Sequence, residues 1–524
     1  MTDPLIHHRR WWILSVLIVS LFTVNLDNTI INVALPTLAR VFSADMSQLQ
    51  WIIDGYVLLF AGLLLAAGAL GDRFGRRRVM LTGLALFGSA SAASALAPSA
   101  DALILLRAVM GVGGALIVPS TLSVTSTVFT MEERPKAIGI WTAVAGLGIV
   151  AGPVLAGWLL DHFAWGSIFL INVPVVVVAI AGTLAIVPES RAADPAPLDI
   201  PGALLSVAAL VTLVYAVIEA PANGWTSDGE LAAFGTAAIL ALGFVARERR
   251  TPAPLLDVRL LAQPAFGSAV LAVALTSFGL FGSMFFFSQY LQGVLGFGTM
   301  QTGASVLPLA VAMAIGSPAG MPLAARVGTR LTVSVGMTIV AAGLLVFRMA
   351  GTADGYPYTA ATLCLVGAGM GLAMGPLTVL MVRTLPRAKQ GVASAINSTA
   401  RELGGALGVA ILGSVAAPVY AAGVRPATQL LPPAAAGAVG DSLAGAGAVA
   451  AMLPGPQASA LLGLARTSFV DAMSGAVLAG AVVALVGAGV ALALLPGRGA
   501  RVVAPDAGLA PGHGSGDTGV AAAA

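Results

Sequence analysis

Long apolar stretches, each closed by a short polar or basic segment, run through almost the whole chain. A helix needs about 20 apolar residues to cross the hydrocarbon core of a bilayer. Fourteen stretches meet that requirement: 12–34, 50–70, 79–97, 102–127, 137–160, 167–187, 200–219, 231–246, 266–292, 303–324, 331–350, 358–382, 391–417 and 473–496. The pattern predicts an all-α polytopic membrane protein with 14 transmembrane helices. The segment 434–453 is rich in Ala and Gly, carries Asp441 and has few large apolar residues. It is expected to belong to a long outer loop, 418–470. The first stretch is not read as a cleaved signal, because its apolar run exceeds the about 7–15 residues of such a segment and continues through Asp27 to Pro36.

Orientation follows from Lys and Arg, since acidic residues contribute little to it. With the N-terminus inside, 20 basic residues fall on inner segments, among them Arg9, Arg10, Arg73, Arg76, Arg77, Arg78, Arg134, Lys136, Arg387, Lys389, Arg498 and Arg501. Four fall outside: Arg40, Arg348, Arg425 and Arg466. A missed or added helix would swap every later loop and destroy this asymmetry. Both termini are therefore expected in the cytoplasm, with a tail at 501–524 rich in Gly, Ala and Pro expected to be disordered.

Composition narrows the function classes. Of 524 residues, 58% are hydrophobic and only 9% are charged, against roughly 25% charged in soluble proteins. A formal net charge of +3, spread along the chain, is not the clustered basic face of a nucleic-acid binder. One Cys and four His offer neither a disulfide nor a metal-ligand spacing. The two Lys, Lys136 and Lys389, are followed by Ala and Gln, so the Gly-Lys-Ser/Thr of a phosphate-cradling loop is missing and no ATP site is expected. Gly146-x-Gly148-x-x-Ala151 looks like a dinucleotide fingerprint but lies inside a span with no strand before it, and is rejected as one. No cofactor and no enzymatic activity are expected. Arg outnumbers Lys 24 to 2, the mark of a GC-rich genome, which points to a bacterial plasma membrane.

A repeat organises the spans. Gly71-Asp72-Arg73-Phe74-Gly75-Arg76-Arg77-Arg78 follows the second span, and Ala324-Ala325-Arg326-Val327-Gly328-Thr329-Arg330 follows the tenth. They share Arg-x-Gly-x-Arg eight spans apart, on the same side. Spans 1–6 and 9–14 then form two six-helix halves with spans 7 and 8 inserted between them, a parallel repeat of the kind some transporters use. The expected divisions are 1–190, 191–262 for the inserted pair and its linkers, and 263–500.

Four motifs, in order on the appropriate spans, carry a family resemblance. They are Leu26-Asp27-Asn28-Thr29-Ile30-Ile31-Asn32-Val33-Ala34-Leu35-Pro36, then Gly68 through Arg77, then Leu106-Arg107 with Gly111, Gly113 and Gly114, then Gly148 with Gly152-Pro153 and Gly157. The chain resembles the major facilitator superfamily, and within it the fourteen-span drug:proton antiporters. The resemblance implies that Gly71, Asp72, Arg73, Gly75 and Arg76 form a conformational lock, that Arg107 belongs to proton coupling, and that Gly148, Gly152, Pro153 and Gly157 form an antiporter motif. Ala325 replaces the acid of the loop motif in the second copy, and Gly166-Ser167 stands where a basic residue usually follows Trp165.

Ionisable groups inside spans are costly and so are functional candidates. Asp27 lies about 16 residues into the first span, roughly 24 Å at 1.5 Å per residue. Asp54 and Arg107 are at similar depth in spans 2 and 4. Burial and a nearby Arg act in opposite senses on a carboxylate's proton affinity, which is how a proton site is tuned. In helical projection Asn25, Asn28 and Asn32 share a face and Asp27 points away from it. Span 13 carries Arg401 and Glu402; neighbours about 100° apart do not face each other, so they are not expected to be simply a self-neutralising pair. Arg401 continues a polar stripe through Ser394, Asn397 and Ser398, and Glu402 is a further proton or cation candidate. Span 9 concentrates Phe278, Phe281, Phe285, Phe286 and Phe287 with Met284, Gln289 and Gln292. Phe278, Phe281 and Phe285 with Gln289 are expected to form an apolar substrate wall.

The alternatives for Asp54, Arg107 and Glu402 are structural: an interfacial carboxylate, a backbone tether and a helix-tying pair. The reading is a proton-coupled exporter of small hydrophobic or cationic compounds, working as a monomer by alternating access and powered by the proton gradient. An exporter of one metabolite, lipid or peptide fits the same residues, and a non-transporting sensor on the same fold fits them less well.

Overall fold

The computed structural model describes residues 4–130, 133–191, 197–252, 254–353, 355–384 and 390–497. The expected disordered tail, together with Arg387, Lys389 and the side chain of Ser394, lies outside the described residues. Every regular element among the described residues is helical. Among the described residues fourteen helices have 15 or more residues, numbered in chain order. The first six are α1 (Pro4–Phe42), α2 (Met46–Phe74), α3 (Arg76–Ser94), α4 (Ala100–Val128), α5 (Arg134–His162) and α6 (Asn172–Ile186). Then come α7 (Ile200–Asn223) and α8 (Asp228–Arg250). The last six are α9 (Pro264–Gln289), α10 (Leu307–Val327), α11 (Thr329–Arg348), α12 (Tyr356–Thr384), α13 (Gln390–Thr428) and α14 (Gly455–Leu494). Among the described residues, twelve helical stretches are long and apolar enough to cross a membrane; α3 and α5 are not among the twelve. Helix α3 opens on Arg76, Arg77 and Arg78 and carries Thr82, Ser89, Ser91 and Ser94, which dilutes its apolar character.

Local chemistry sets the helix ends. Asp45 accepts from the backbone of Gln48 at 2.7 Å while the Gln48 side chain accepts from the Asp45 backbone, a reciprocal cap at the start of α2. Gly75 separates α2 from α3 at φ 107°, a backbone region that side-chain-bearing residues rarely adopt.

The helix pairings repeat eight elements apart. Helix α1 packs on α5 and α6, α2 on α4, and α3 on α4 and α6; in the same way α9 packs on α13 and α14, α10 on α12, and α11 on α12 and α14. Helices α7 and α8 pack on each other, and α7 also touches α2 and α13. Ser414 donates to the Val217 carbonyl at 2.5 Å, fastening α13 to α7.

Two expectations change. The segment 418–470 is mostly helical: α13 runs on to Thr428, two short helices span Pro433–Asp441 and Leu443–Ala450, and α14 begins at Gly455. Val439, Leu443, Ala446, Val449 and Ala450 are buried there; small residues pack a helix pair too short to cross a bilayer. Span 6 is broken, with one turn at Ser167–Leu170 before α6. Helix α9 ends in a π turn, Tyr290–Val294, a helical irregularity that recurs at functional sites.

Candidate functional site

A cavity of about 350 Å³ lies between the two six-helix sets. Asn25, Asn28 and Asn32 face it from α1, Phe281, Met284 and Phe287 from α9, Met313 from α10, Met370 and Met374 from α12, and Asn397, Arg401 and Glu402 from α13. The asparagine face of α1 therefore lines the cavity, and Asp27 points away from it.

Asp27 and Arg107 are fully buried and paired, with guanidinium Nη1 donating to carboxylate Oδ2. Arg107 also donates through Nε to the Ile52 carbonyl at 3.1 Å and lies over the Tyr56 ring at 4.4 Å. The other oxygen of Asp27 accepts from the Asn172 amide at 3.0 Å. The same amide nitrogen donates to Ser91 Oγ at 3.1 Å, and Ser91 donates to the Phe169 carbonyl at 2.8 Å. Helices α4 and α6 thus meet on one carboxylate of α1, while α2 and α3 hold the two residues that bond it. A buried charge is tolerable only when paired and hydrogen-bonded, and this one is both. Asp54 is also fully buried, and neither carboxylate oxygen has a hydrogen-bond partner among the described residues. The structure does not make it part of the Asp27 network.

Across the cavity, Arg401 Nη2 and Nε donate to Glu402 Oε1 at 2.9 and 3.2 Å. The expectation that these neighbours would not simply neutralise each other is corrected in part. Their backbones diverge by about 100°, but the long arginine side chain folds back across that angle. Glu402 Oε2 accepts from Asn28 at 3.3 Å, linking α13 to α1. Asn397 Oδ1 is buried without a partner among the described residues.

The expected wall on α9 is only partly right. Phe281 lines the cavity, with Met284 and Phe287 beside it. Phe278 and Phe285 do not: Phe278 packs its backbone on Gly408 of α13, and Phe285 packs edge-on against Phe286, which leans on Phe469 of α14. Gln289 bonds the Phe285 carbonyl at 3.0 Å and faces a separate recess of about 520 Å³ with Arg40, Asp161 and Arg466. Three turns of one apolar helix thus serve different neighbours. Residues missed in sequence reading include Asn172, Ser91, Tyr56, Met370 and Met374. The signals were present: Asn172 is an amide inside an apolar run, and Met370, Met374 and Thr378 form a row at i, i+4, i+8.

The glycine motif of α5 is a docking surface. A Cβ on Gly148 would lie 2.8 Å from Asn25 Cβ, and one on Gly152 would strike Thr29. Thr29 Oγ1 donates to the Gly148 carbonyl at 3.0 Å. Gly157 faces the backbone of Thr299 and Met300, in a short helix (Thr299–Ala304) that precedes α10. Pro153 lines the cavity. In the loop between α2 and α3, Asp72 accepts from Arg76 at 2.8 and 3.1 Å, and Arg76 N donates to the Ser190 carbonyl at 2.9 Å. The Glu189 carboxylate occupies the space a Gly75 Cβ would need and accepts from Arg77 N at 3.2 Å. Gly71 passes close to Arg76 and Ser120, and Arg73 lies by the Phe74 ring.

Hydrogen bonds between the two helix sets gather at the end away from the termini. Gln50 donates to the Val409 and Ala410 carbonyls at 3.1 and 2.9 Å, and Gln292 to the Val33 carbonyl at 2.9 Å. Asp161 accepts from Thr299 Oγ1 and from Met300 N at 3.3 Å.

The sequence profile of the Major Facilitator Superfamily matches residues 17–409. This chain belongs to that superfamily. It is 38% identical over 462 residues to the multidrug efflux pump LfrA of Mycolicibacterium smegmatis, covering 88% of this chain and 91% of that one. It is 36% identical to the tetracenomycin C resistance and export protein of Streptomyces glaucescens, covering 92% and 91%. Among solved structures, a bacterial homologue of the human lysosomal transporter Spinster, in an inward-facing and occupied conformation, shares the fold with a TM-score of 0.65. It covers 94% of this chain and 98% of that one, at 17% identity. The chain is therefore a multi-pass membrane transporter and not an enzyme.

Proposed function

We propose that this transporter is a proton-coupled exporter of small hydrophobic or cationic drugs. All fourteen long helices cross the membrane, both termini lie in the cytoplasm, and the divisions fall at 1–190, 191–262 and 263–500. The observation that carries the reading is the buried Asp27–Arg107 pair set directly behind the asparagine-lined wall of a cavity. The cavity's volume falls in the range of small-ligand sites. Its phenylalanine and methionine side chains suit varied apolar ligands, because methionine adapts to different shapes, and Glu402 supplies a negative group for a cation. The pump and export roles named for the relatives above agree with this.

Bonds at the outer end, Gln50 and Asp161 among them, hold that end closed, so the state seen is the one that loads from the cytoplasm. A proton arriving from outside neutralises Asp27 and weakens its pairing with Arg107; Asp54 and Glu402 are the secondary proton sites. Coupling needs only that proton and drug prefer different states. Asp72 is bonded to Arg76 within its own set, and the loop lock engages the opposite set in the outward-facing state. The exporter works as a monomer, with the proton gradient as its energy source and no cofactor.

The test is exchange in proteoliposomes carrying an internal pH-sensitive dye, with a cationic dye as substrate. Asp27→Asn is expected to bind the substrate and lose substrate-driven proton movement. A wild-type exchange rate from that variant would refute the assignment.

A further inference from the structure

On the two partners of Asp27, Arg107 Nη2 and Asn172 Oδ1 are buried without a hydrogen bond among the described residues. Asn172 is fully buried, its amide nitrogen makes two bonds, and its carbonyl Oδ1 makes none among the described residues. A buried amide oxygen without a partner is costly, and each such atom in a native structure calls for an explanation. The nitrogen sits between Asp27 Oδ1 and Ser91 Oγ, so both amide hydrogens point at acceptors. That arrangement fits an ionised Asp27, which is acceptor-only.

Protonation reverses the demand. A protonated Asp27 presents an O–H donor on the side facing Asn172, and the amide N–H then points at a donor. Rotating the Asn172 amide by a half-turn puts Oδ1 where Nδ2 was. It then accepts from the Asp27 hydroxyl, and Ser91, whose hydroxyl rotates freely, turns from the Phe169 carbonyl to donate to the same oxygen. In both protonation states the contacts from Asn172 to Asp27 and to Ser91 are kept as hydrogen bonds, and no atom has to enter or leave. The oxygen without a partner in one state is the acceptor of the other.

We infer that Asn172, seated by Ser91, is a positioning residue that holds Asp27 in both of its protonation states by flipping its amide, and so sets the pH at which transport couples to protons. The inference rests on the reading of Asp27 as the proton site. The other groups facing the carboxylate are Arg107 from α4 and the Tyr56 ring from α2, with Glu402 the next charge across α1. Arg107 stabilises the ionised form alone; only an amide or a hydroxyl can serve both.

The experiment measures substrate–proton exchange against pH in proteoliposomes for wild type, Asn172→Ala, Asn172→Asp, Ser91→Ala and Asp27→Asn. Removing the amide takes a charge-assisted bond from the ionised form, so the midpoint of the profile for Asn172→Ala is expected to move upward by about one to two pH units. Asn172→Asp, nearly isosteric, sets a second carboxyl beside the first and is expected to move it further in the same direction. Ser91→Ala leaves the amide in place but unseated, and a smaller upward shift is expected. A uniform loss of rate with an unmoved midpoint in either Asn172 variant overturns the proposal; if one variant does not accumulate, the other decides. Exchange that stays proton-dependent in Asp27→Asn would instead refute the proton site itself, whatever the Asn172 variants show.

Discussion

Gly111 sits one turn after Arg107 on α4, against the backbone of α2. A Cβ added there would lie 2.3 Å from the Tyr56 carbonyl oxygen, 3.1 Å from its carbon and 3.2 Å from Phe60 N. All three are backbone atoms, so no change of rotamer can make room. Ordinary contact begins at 3.4 Å, so in Gly111→Ala the two helices must separate locally by about 1 Å. Overpacking of this kind costs roughly 1–3 kcal/mol. The same interface holds the bond from Arg107 to the Ile52 carbonyl, 3.1 Å long. Stretched by the full displacement it would pass beyond hydrogen-bond range, and Arg107 would lose the contact that aims it at Asp27. The expected result is a lower melting temperature together with weakened substrate–proton exchange. Gly475→Ala in α14 is the control, because nothing lies within 4 Å of a Cβ there and Ala is favoured over Gly inside a helix by up to about 1 kcal/mol. Purified protein melted in detergent and exchange in proteoliposomes measure the two effects. If Gly111→Ala melts and exchanges like Gly475→Ala, the close approach of α2 and α4 does not control the arginine, and the argument fails.

Two further predictions test the end away from the termini. Gln50→Ala removes both bonds to the Val409 and Ala410 carbonyls, a loss of about 1–3 kcal/mol at the end away from the termini; labelling of a cysteine placed between the two helix sets at that end should speed up several-fold, and an unchanged rate would count against these bonds as the closure. Asp441, outside the membrane-crossing helices, has its carboxyl raised above the ordinary value of 3.8 by burial and then by the negative charge of Asp45. The folded form therefore holds the proton more tightly than the unfolded chain, and stability from this group is present at acid pH and is lost as pH rises from that value through the raised one. Asp441→Asn should flatten that part of the melting-temperature profile, and a profile that keeps the wild-type slope would refute the assignment.

Much of the site was legible residue by residue. Asp27, Arg107, Arg401 and Glu402 stood out because a charge inside an apolar stretch has few innocent explanations. The polar face of Asn25, Asn28 and Asn32 followed from helical periodicity alone. That Asp27 and Arg107 pair, 80 positions apart, and that Asn172 and Ser91 complete the carboxylate's shell did not follow. Those partners lie on four helices whose neighbours are fixed by packing rather than by order in the chain. The fold-back of Arg401 onto Glu402 was hidden because backbone angle says nothing of how far a flexible side chain reaches.

The sequence by itself determined the apolar stretches, the basic asymmetry between their ends, the eight-span repeat and a short set of buried charges. Each of these depends only on which residues must leave water and which must stay in it. The tertiary structure alone decided which side of each helix looks into the cavity. It turned Phe281 and Phe287 toward the cavity and Phe278 and Phe285 toward other helices, and it folded the segment after α13 into a pair of short helices. The physical reason is that lipid tails are as apolar as a protein interior, so hydrophobicity no longer separates inside from outside once a helix is in the bilayer. Shape at close range makes that choice, through glycines such as Gly111 and Gly152 that let one backbone meet another.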